Sequence, residues 1–425
     1  MSGKIAYRSI IAILLGCAFF VSCSKDPDGN VEKEKDSTLT IVSSSSYSYP
    51  FLSGIIKAAL NTLGSEDPDI DIAGLKAEFD IIDSKISRID DSIGFKSIDC
   101  DVVRYESTGI NGEKLELSGK IFVPKQELPL RGIVIVNHGT ITDDDEAPSN
   151  SSFQIESLMA AMGYAVSISD YIGFGSTKNL PQTYMAEDTT AISSIDLELA
   201  AYNYLKGKGY EFEKPDNKVY ITGYSQGAAV SLAVQKLIEK NYSGKFSISK
   251  TFAGDGPYDL ETTYRQVING NTGLPVSIAA LVLIGLDYAE NMNTDFSLYF
   301  GNKLLDNYKN WYFSKNYSTS EITDQLGTDV LSQAMTPATC NYESEAMKPF
   351  VAAFRKNSVV EWSPVAPVWL YHSTTDDYIP LANSENVYDY FKAHSSASVE
   401  KDFGDYGSHT EAAAGYYFKV FKGLL

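Results

Sequence analysis

The segment Lys218-Val-Tyr-Ile-Thr-Gly-Tyr-Ser-Gln-Gly-Ala-Ala-Val230 decides how the rest of the chain is read. Val219, Tyr220 and Ile221 are consecutive apolar residues of β-branched or aromatic type, the composition of a buried strand. Past Gly227, residues Val230, Ala233, Val234, Leu237 and Ile238 fall at i, i+3, i+4, i+7 and i+8, while Ser231, Gln235 and Glu239 face the other way. That spacing predicts an amphipathic helix. Between the two lies Gly223-Tyr224-Ser225-Gln226-Gly227, a serine pinched in a turn with glycine on either side. So sharp a turn leaves no room for Cβ atoms at its flanks. The helix start aims backbone N–H groups and the positive end of its dipole at any charge that develops above the serine. A G-x-S-x-G set between strand and helix is the context in which serine acts as a nucleophile. Without partners elsewhere in the chain, the same five residues are only a tight turn.

Acyl transfer by serine requires a base, a carboxylate to hold the base, and donors for the oxyanion. The chain has four histidines. His138 precedes the serine, His372 ends an apolar run, and His394 falls in the helical stretch after it. His409, in Gly404-Asp-Tyr-Gly-Ser-His-Thr410, lies between the last predicted strand and the last predicted helix. That is where the base belongs when the partners follow the order Ser, Asp or Glu, His. The preceding strand runs into Asp376-Asp377-Tyr-Ile-Pro380, which resembles the D-x-x-V/I-P turn of many α/β hydrolases. The resemblance favours Asp376, with Asp377 second and Asp255, after an earlier strand, third. The oxyanion hole is expected to use the backbone N–H of Gln226 and one from Asn137-His-Gly-Thr140, namely that of Thr140. His138 is expected to shape this loop by hydrogen bonding rather than to move protons. No histidines share a metal-ligand spacing, so neither metal nor cofactor is expected.

From about Asp99 onward the chain alternates apolar strands and helical stretches. Asp101–Tyr105 and Lys114–Val123 read as a meander, followed by strands at Ile133–Val136, Tyr164–Ile168, the elbow strand, Ile248–Phe252, Val365–Tyr371 and Val399–Phe403. Helices are predicted around Phe153–Met162, over Asp188–Leu205, after the elbow, and over Ala412–Phe421. Such alternation means a parallel sheet covered on both faces, an α/β fold. Between about Asp259 and Trp362 only helical segments appear: Leu260–Ile268, Pro275–Asp287, Asp295–Leu305, Ser320–Leu326 and Met347–Lys356. An insertion there would cover the site as a lid. Within it Val276–Leu286 is apolar nearly all round, fit either to line an acyl groove or to be buried among its neighbours.

Two further loops, Asp170-Tyr-Ile-Gly-Phe-Gly-Ser176 and Gly256-Pro-Tyr-Asp-Leu260, resemble those of the secretory-lipase branch of α/β hydrolases, over roughly residues 100–425. The resemblance implies the α/β-hydrolase fold, a mostly parallel eight-stranded sheet with a helical lid, and hydrolysis of carboxylic esters through an acyl-enzyme. A serine peptidase of the same fold and an esterase that deacylates polysaccharides remain open beside it.

A net charge of −20 argues against nucleic acid and against adsorption to anionic lipid. Lys4 and Arg8 precede the apolar run Ile10–Val21, which has signal-peptide length and is too short for a membrane span. Phe20-Val-Ser-Cys23 resembles the lipobox of bacterial lipoproteins, with Leu14-Leu-Gly-Cys17 a competitor. The expectation is a signal peptide over 1–22, lipid on Cys23 and a polar tether over 23–50. Beyond these come an N-terminal extension over 51–95 and the main domain over 96–425, with its lid at about 259–362. The anchor implied is an extracytoplasmic one on the bacterial outer membrane. A bridge between Cys100 and Cys340 is left open.

Overall fold

The computed structural model describes residues 39–66 and 71–425. The signal peptide and the lipobox at Cys23 lie outside the described residues. Nine strands form one sheet in the order β1-β2-β3-β5-β4-β6-β7-β8-β9. They are β1 (Leu39–Tyr47), β2 (Ser97–Thr108), β3 (Lys114–Lys125), β4 (Ile133–Asn137), β5 (Ala165–Ser169), β6 (Lys218–Tyr224), β7 (Ser247–Gly254), β8 (Val368–Ser373) and β9 (Val399–Gly404). The strands β4 to β9 run parallel, and β1, β2 and β3 add an antiparallel edge. The expected eight strands are therefore nine. The addition comes from the supposed tether, whose described part pairs with β2 from Leu39↔Tyr105 to Tyr47↔Ile98. Its serines face outward on an edge strand, where polarity costs nothing and hides the strand from a search for apolar runs.

Helices of two turns or more are α1 (Tyr49–Glu66), α2 (Ile72–Ile93), α3 (Glu187–Gly207), α4 (Gln226–Asn241), α5 (Leu260–Ile268), α6 (Val276–Ala289), α7 (Asn302–Phe313), α8 (Thr319–Leu326), α9 (Lys348–Lys356), α10 (Ala382–His394) and α11 (His409–Leu424). The sheet separates two cores, and β4 shows why. Ile133 and Ile135 point to the face covered by α3, α4 and α10, whereas Val134 and Val136 point to the face covered by α1, α2 and α11. A strand buried on both sides must be apolar along its length, as β4 is from Ile133 to Val136; the buried Asn137 that ends it is hydrogen-bonded to Ser231 and Ser194.

The extension 51–95 is built of two long helices, α1 and α2. Phe79, Ile82 and Ile86 of α2 are buried at helical spacing, and Asp83 ties the pair together, accepting from Tyr49 (2.5 Å), Ser53 (2.7 Å) and Lys57 (2.6 Å) of α1. The helix expected near Phe153–Met162 shrinks to a 3-10 turn and the single turn Leu158–Ala161. Both Cys100 and Cys340 are free thiols.

The lid, α5 to α9, lies between β7 and β8 as its helical periodicity predicts; only the segment expected at Asp295–Leu305 is displaced, to α7. It meets the main body where Asp144 N–H donates to the Lys315 carbonyl (2.8 Å) and the Thr142 hydroxyl to that of Tyr317 (2.8 Å). Lys315 is 1% exposed, sits at φ 59°, and its ammonium has no hydrogen-bond partner among the described residues. It lies 4.8 Å from the Phe174 ring centre. Burial lowers its pKa to about 7, against an opposing pull from Asp144. An unfolded lysine titrates near 10.4, so between these values the unfolded chain holds more protons and stability rises with pH. Lys315→Met, which keeps the packing length and removes the buried charge, is expected to stabilise the fold below pH 7 by on the order of 2–4 kcal/mol. Thermal unfolding should show the gain shrinking as pH rises from 7 to 10; an equal gain at both ends would mean that the charge is not its source.

Candidate active site

The elbow forms as its residues dictate. Ser225 follows β6 at φ 58°, ψ −125°, a strained conformation for any residue with a Cβ. It is held there because its neighbours permit very close packing. A Cβ on Gly223 would come within 2.2 Å of the Gly227 carbonyl oxygen, and one on Gly227 within 2.0 Å of that of Asn137. The turn therefore presses directly on the end of β4. That strand pair is where the chain's winding reverses: β4 and β5 lie to one side, and β6 onward to the other. In open parallel sheets the crevice at this switch point is the usual ligand site.

Each of the candidate residues leaves the carboxyl end of a strand: Thr140 after β4, Ser225 after β6, Asp255 after β7, Asp376 after β8 and His409 after β9. Ser225 Oγ lies 2.9 Å from His409 Nε2, and His409 Nδ1 lies 2.7 Å from Asp376 Oδ2. An ionised carboxylate only accepts, so Nδ1 carries the proton and Nε2 is left to accept from the serine. Asp376 is fixed by its second oxygen, which accepts from the backbone of Tyr378 (2.7 Å) and Ile379 (2.8 Å). Burial alone would raise its pKa, but the charge and hydrogen bond of His409 outweigh this and hold it below the usual value. For His409 burial works downward; the charge and hydrogen bond of Asp376, with weaker pulls from Asp255 and Asp377, leave it raised.

His409 is not in the loop but is the first residue of α11, behind a Ser408–Glu411 capping box. Asp377 meets it there from the other side, accepting the His409 backbone N–H at 3.0 Å. The two adjacent aspartates thus divide the work: one holds the ring, the other the backbone that carries it. Tyr224 OH donates to the His409 carbonyl (2.5 Å), and Tyr378 stacks on the imidazole at 5.2 Å.

Asp255 lies beneath this chain, fully buried at φ 46°. Its Oδ1 accepts from Ser373 N–H (2.8 Å), and burial, followed by the nearby Asp376 charge, pushes its pKa up to about 7. Asp255, His372 and Asp376 bring three potential ligand atoms within 4.8 Å of one another, the one such group among the described residues. Most of their polar atoms are already engaged, although Asp255 Oδ2 has no hydrogen-bond partner among the described residues. His372 Nε2 faces the Ile379 carbonyl (3.1 Å) and so carries the proton, while Nδ1 accepts from Ser384 (2.7 Å). Burial holds its pKa down at about 4, a neutral core histidine. His138 hydrogen-bonds within the loop after β4, its Nδ1 2.7 Å from the Gly139 carbonyl, and stacks on Tyr171 at 4.0 Å. His394 is on α10, stacked on Tyr390 away from the site.

A family model described as secretory lipase matches residues 149–413, a span that includes Ser225, Asp376 and His409. The chain belongs to the secretory lipase family. It is a carboxylesterase or lipase, acting by hydrolysis of esters. Among solved structures, this secretory lipase is similar to the rice cell wall degrading esterase LipA from Xanthomonas oryzae (TM-score 0.65, 21% identity, 80% of this chain and 92% of that chain). It is also similar to a Legionella pneumophila protein (0.73, 19%, 90% and 98%) and to Candida antarctica lipase A (0.57, 16%, 79% and 80%). Identities this low speak to the fold alone. No curated protein matches its sequence.

Above Ser225 and His409 the secretory lipase has a cleft with about 590 Å³ of empty space, counting the part open to solvent. Its walls are apolar and come from the lid: Leu260, Tyr264 and Val267 of α5, Ile278 and Val282 of α6, and Phe354 of α9. In α6, Ile278 and Val282 line the cleft, whereas Leu281, Leu283 and Leu286 are buried. Thr140 and Tyr184 complete the wall on the elbow side, their hydroxyls 2.7 Å apart. Sequence reasoning missed Tyr184, Tyr224 and Tyr378, since nothing marks a site tyrosine among the 28 in the chain.

Proposed function

We propose that the enzyme is a lipid-anchored serine carboxylesterase in which Ser225 is the nucleophile, His409 the general base and Asp376 its orienting carboxylate. The observation that carries the reading is the unbroken run of contacts from Ser225 Oγ through both ring nitrogens of His409 to Asp376. As Ser225 Oγ bonds to the ester carbonyl carbon, His409 Nε2 takes its proton and Asp376 stabilises the imidazolium. The backbone N–H groups of Gln226 and Thr140 receive the oxyanion. Gln226 opens α4, so its N–H has no partner four residues back within the helix. When the intermediate collapses, the alcohol leaves with the proton from Nε2. Water, deprotonated by His409, then attacks the acyl-enzyme, and Ser225 recovers its proton as the acid departs.

The apolar lid walls suit the acyl half of the substrate: burying each methylene there contributes about 0.8 kcal/mol. No helix among the described residues is long and apolar enough to cross a membrane. The lipobox at Cys23 supports anchoring by acyl chains at the outer membrane instead, and secretory-lipase membership supports an extracytoplasmic location. The test is labelling with a fluorophosphonate, followed by peptide mapping and a screen of p-nitrophenyl esters against aminoacyl amides. Modification of Ser225, preference for esters, and an acylated Cys23 at the mature N-terminus are expected. An unlabelled Ser225 in folded protein removes the nucleophile assignment, and faster amide cleavage turns the reading to a peptidase.

A further inference from the structure

Thr140 lines the cleft and carries a hydroxyl beside its backbone N–H, and Tyr184 restricts what that hydroxyl can do. Tyr184 is 4% exposed, and Thr140 Oγ1 is the one hydrogen-bond partner of its phenol among the described residues. Each hydroxyl brings one proton and can accept. Were Thr140 to donate, the phenolic proton would be stranded among apolar cleft residues, at a cost of about 1–3 kcal/mol. The pairing with no orphan has Tyr184 donating. The Thr140 proton is then free to turn toward the space it shares with Ser225 and His409. Burial pushes the Tyr184 pKa up to about 12, so the phenol keeps its proton across the working range.

Tyr184 is itself immobilised. Helix α6 of the lid lies against its backbone so closely that a Cβ on Gly285 would come within 2.5 Å of the Tyr184 carbonyl oxygen. The following residue, Met185, is held at φ 58°, a conformation that persists only where the surroundings over-determine it. The lid thus fixes the tyrosine, and the tyrosine fixes the direction of the threonine proton.

We infer that the Thr140 hydroxyl is a third donor to the oxyanion, added to the two backbone N–H groups, and that Tyr184 is the residue that positions it. This rests on Ser225 as the nucleophile. Such a donor gains strength only as negative charge develops, so its loss appears in kcat rather than KM.

Thr140→Val, Thr140→Ser, Tyr184→Phe and the Thr140→Val/Tyr184→Phe double variant separate this role from a structural one, with the melting temperature of each confirming that it is folded. Removing an oxyanion donor typically costs about 10²-fold or more in rate. Thr140→Val is therefore expected to lose about 10² in kcat with KM within about two-fold, and Thr140→Ser to stay within a few-fold of wild type. Tyr184→Phe should lose about ten-fold, and the double variant no more than Thr140→Val alone, because two residues acting on one bond are not additive. The threonine variants should also bind an alkylboronic acid, a mimic of the tetrahedral species, in the same rank order as kcat. Unchanged kcat in Thr140→Val, or a serine variant as poor as the valine, overturns the third donor. Additive losses in the double variant overturn the positioning role of Tyr184. If the wild-type protein is not labelled at Ser225 by fluorophosphonate, it is the nucleophile assignment that fails. Labelling at Ser225 with full activity in Thr140→Val sinks this inference alone.

Discussion

Ser225→Ala is expected to lower kcat for a p-nitrophenyl ester by about 10⁶-fold, the scale reached when a triad nucleophile is removed. KM should change little, because the substitution leaves the apolar lining of the cleft in place. The variant should fold about as stably as wild type: alanine at φ 58° is as strained as serine, and the hydroxyl removed is only half-buried at the cleft. Loss of rate without loss of stability separates a catalytic group from a structural one. Residual activity over water should persist, since the proposed oxyanion donors remain. Turnover within about ten-fold of wild type by a carefully purified variant would falsify the assignment.

The contacts that join Ser225, His409 and Asp376 were more legible in the sequence than the sheet was. Ser225, Asp376 and His409 are each marked by a local pattern: glycines that permit a turn, a proline that stiffens one, and a histidine placed after the last apolar strand. These patterns exist because backbone geometry demands particular residue types, and such demands are written locally. The strand β1 carries no such mark. Its Thr40, Ser43, Ser44 and Ser45 find their partners on β2 through backbone pairing and, at Ser45, a hydroxyl donated to the Cys100 carbonyl, so its existence depends on a partner more than fifty residues away. The same holds for the hairpin of α1 and α2, where Gly64 and Pro68 read as breaks and the bonds from Tyr49, Ser53 and Lys57 to Asp83 that close the pair are invisible in either helix alone.

The hydrogen-bonded tyrosines are the other illegible class. Tyr224, Tyr371 and Tyr416 look like core residues in the sequence, and they are buried. Their hydroxyls nonetheless bond backbone groups of β6, β7 and α11 and so tie the strands to the last helix. Tyr416 accepts from Gly223 N–H (3.1 Å) and donates to the Phe252 carbonyl (2.9 Å), and Tyr371 donates to that of Ala412 (3.1 Å). A buried phenol must find a partner, but which one it finds is decided by the packing of strands and helices distant in the chain. The rigidity of the elbow is therefore a property of the whole rim, although the elbow motif is local.

The pair Asp376 and Asp377 gives the second large effect, and a contrast that no difference in burial can imitate. Asp376→Asn should cost about 10⁴-fold in kcat, because an amide can present its NH₂ to His409 Nδ1 and so favour the wrong tautomer. Asp377→Asn should cost no more than a few-fold, since an amide oxygen can still accept the His409 backbone N–H. The pH profile supplies an independent reading. The base must be neutral, and burial would lower the His409 pKa while Asp376, with Asp255 and Asp377, brings it above the ordinary value of about 6.5. Wild-type kcat/KM should therefore fall on the acid side with an inflection above about 6.5. That inflection belongs to the cluster rather than to one residue, because Asp255 titrates near 7 beside it. In Asp376→Asn the main counter-charge is lost and burial dominates, so the inflection should move to lower pH; in Asp377→Asn it should scarcely move. A larger loss in the Asp377 variant, or an inflection that stays in place when Asp376 is neutralised, would transfer the orienting role away from Asp376.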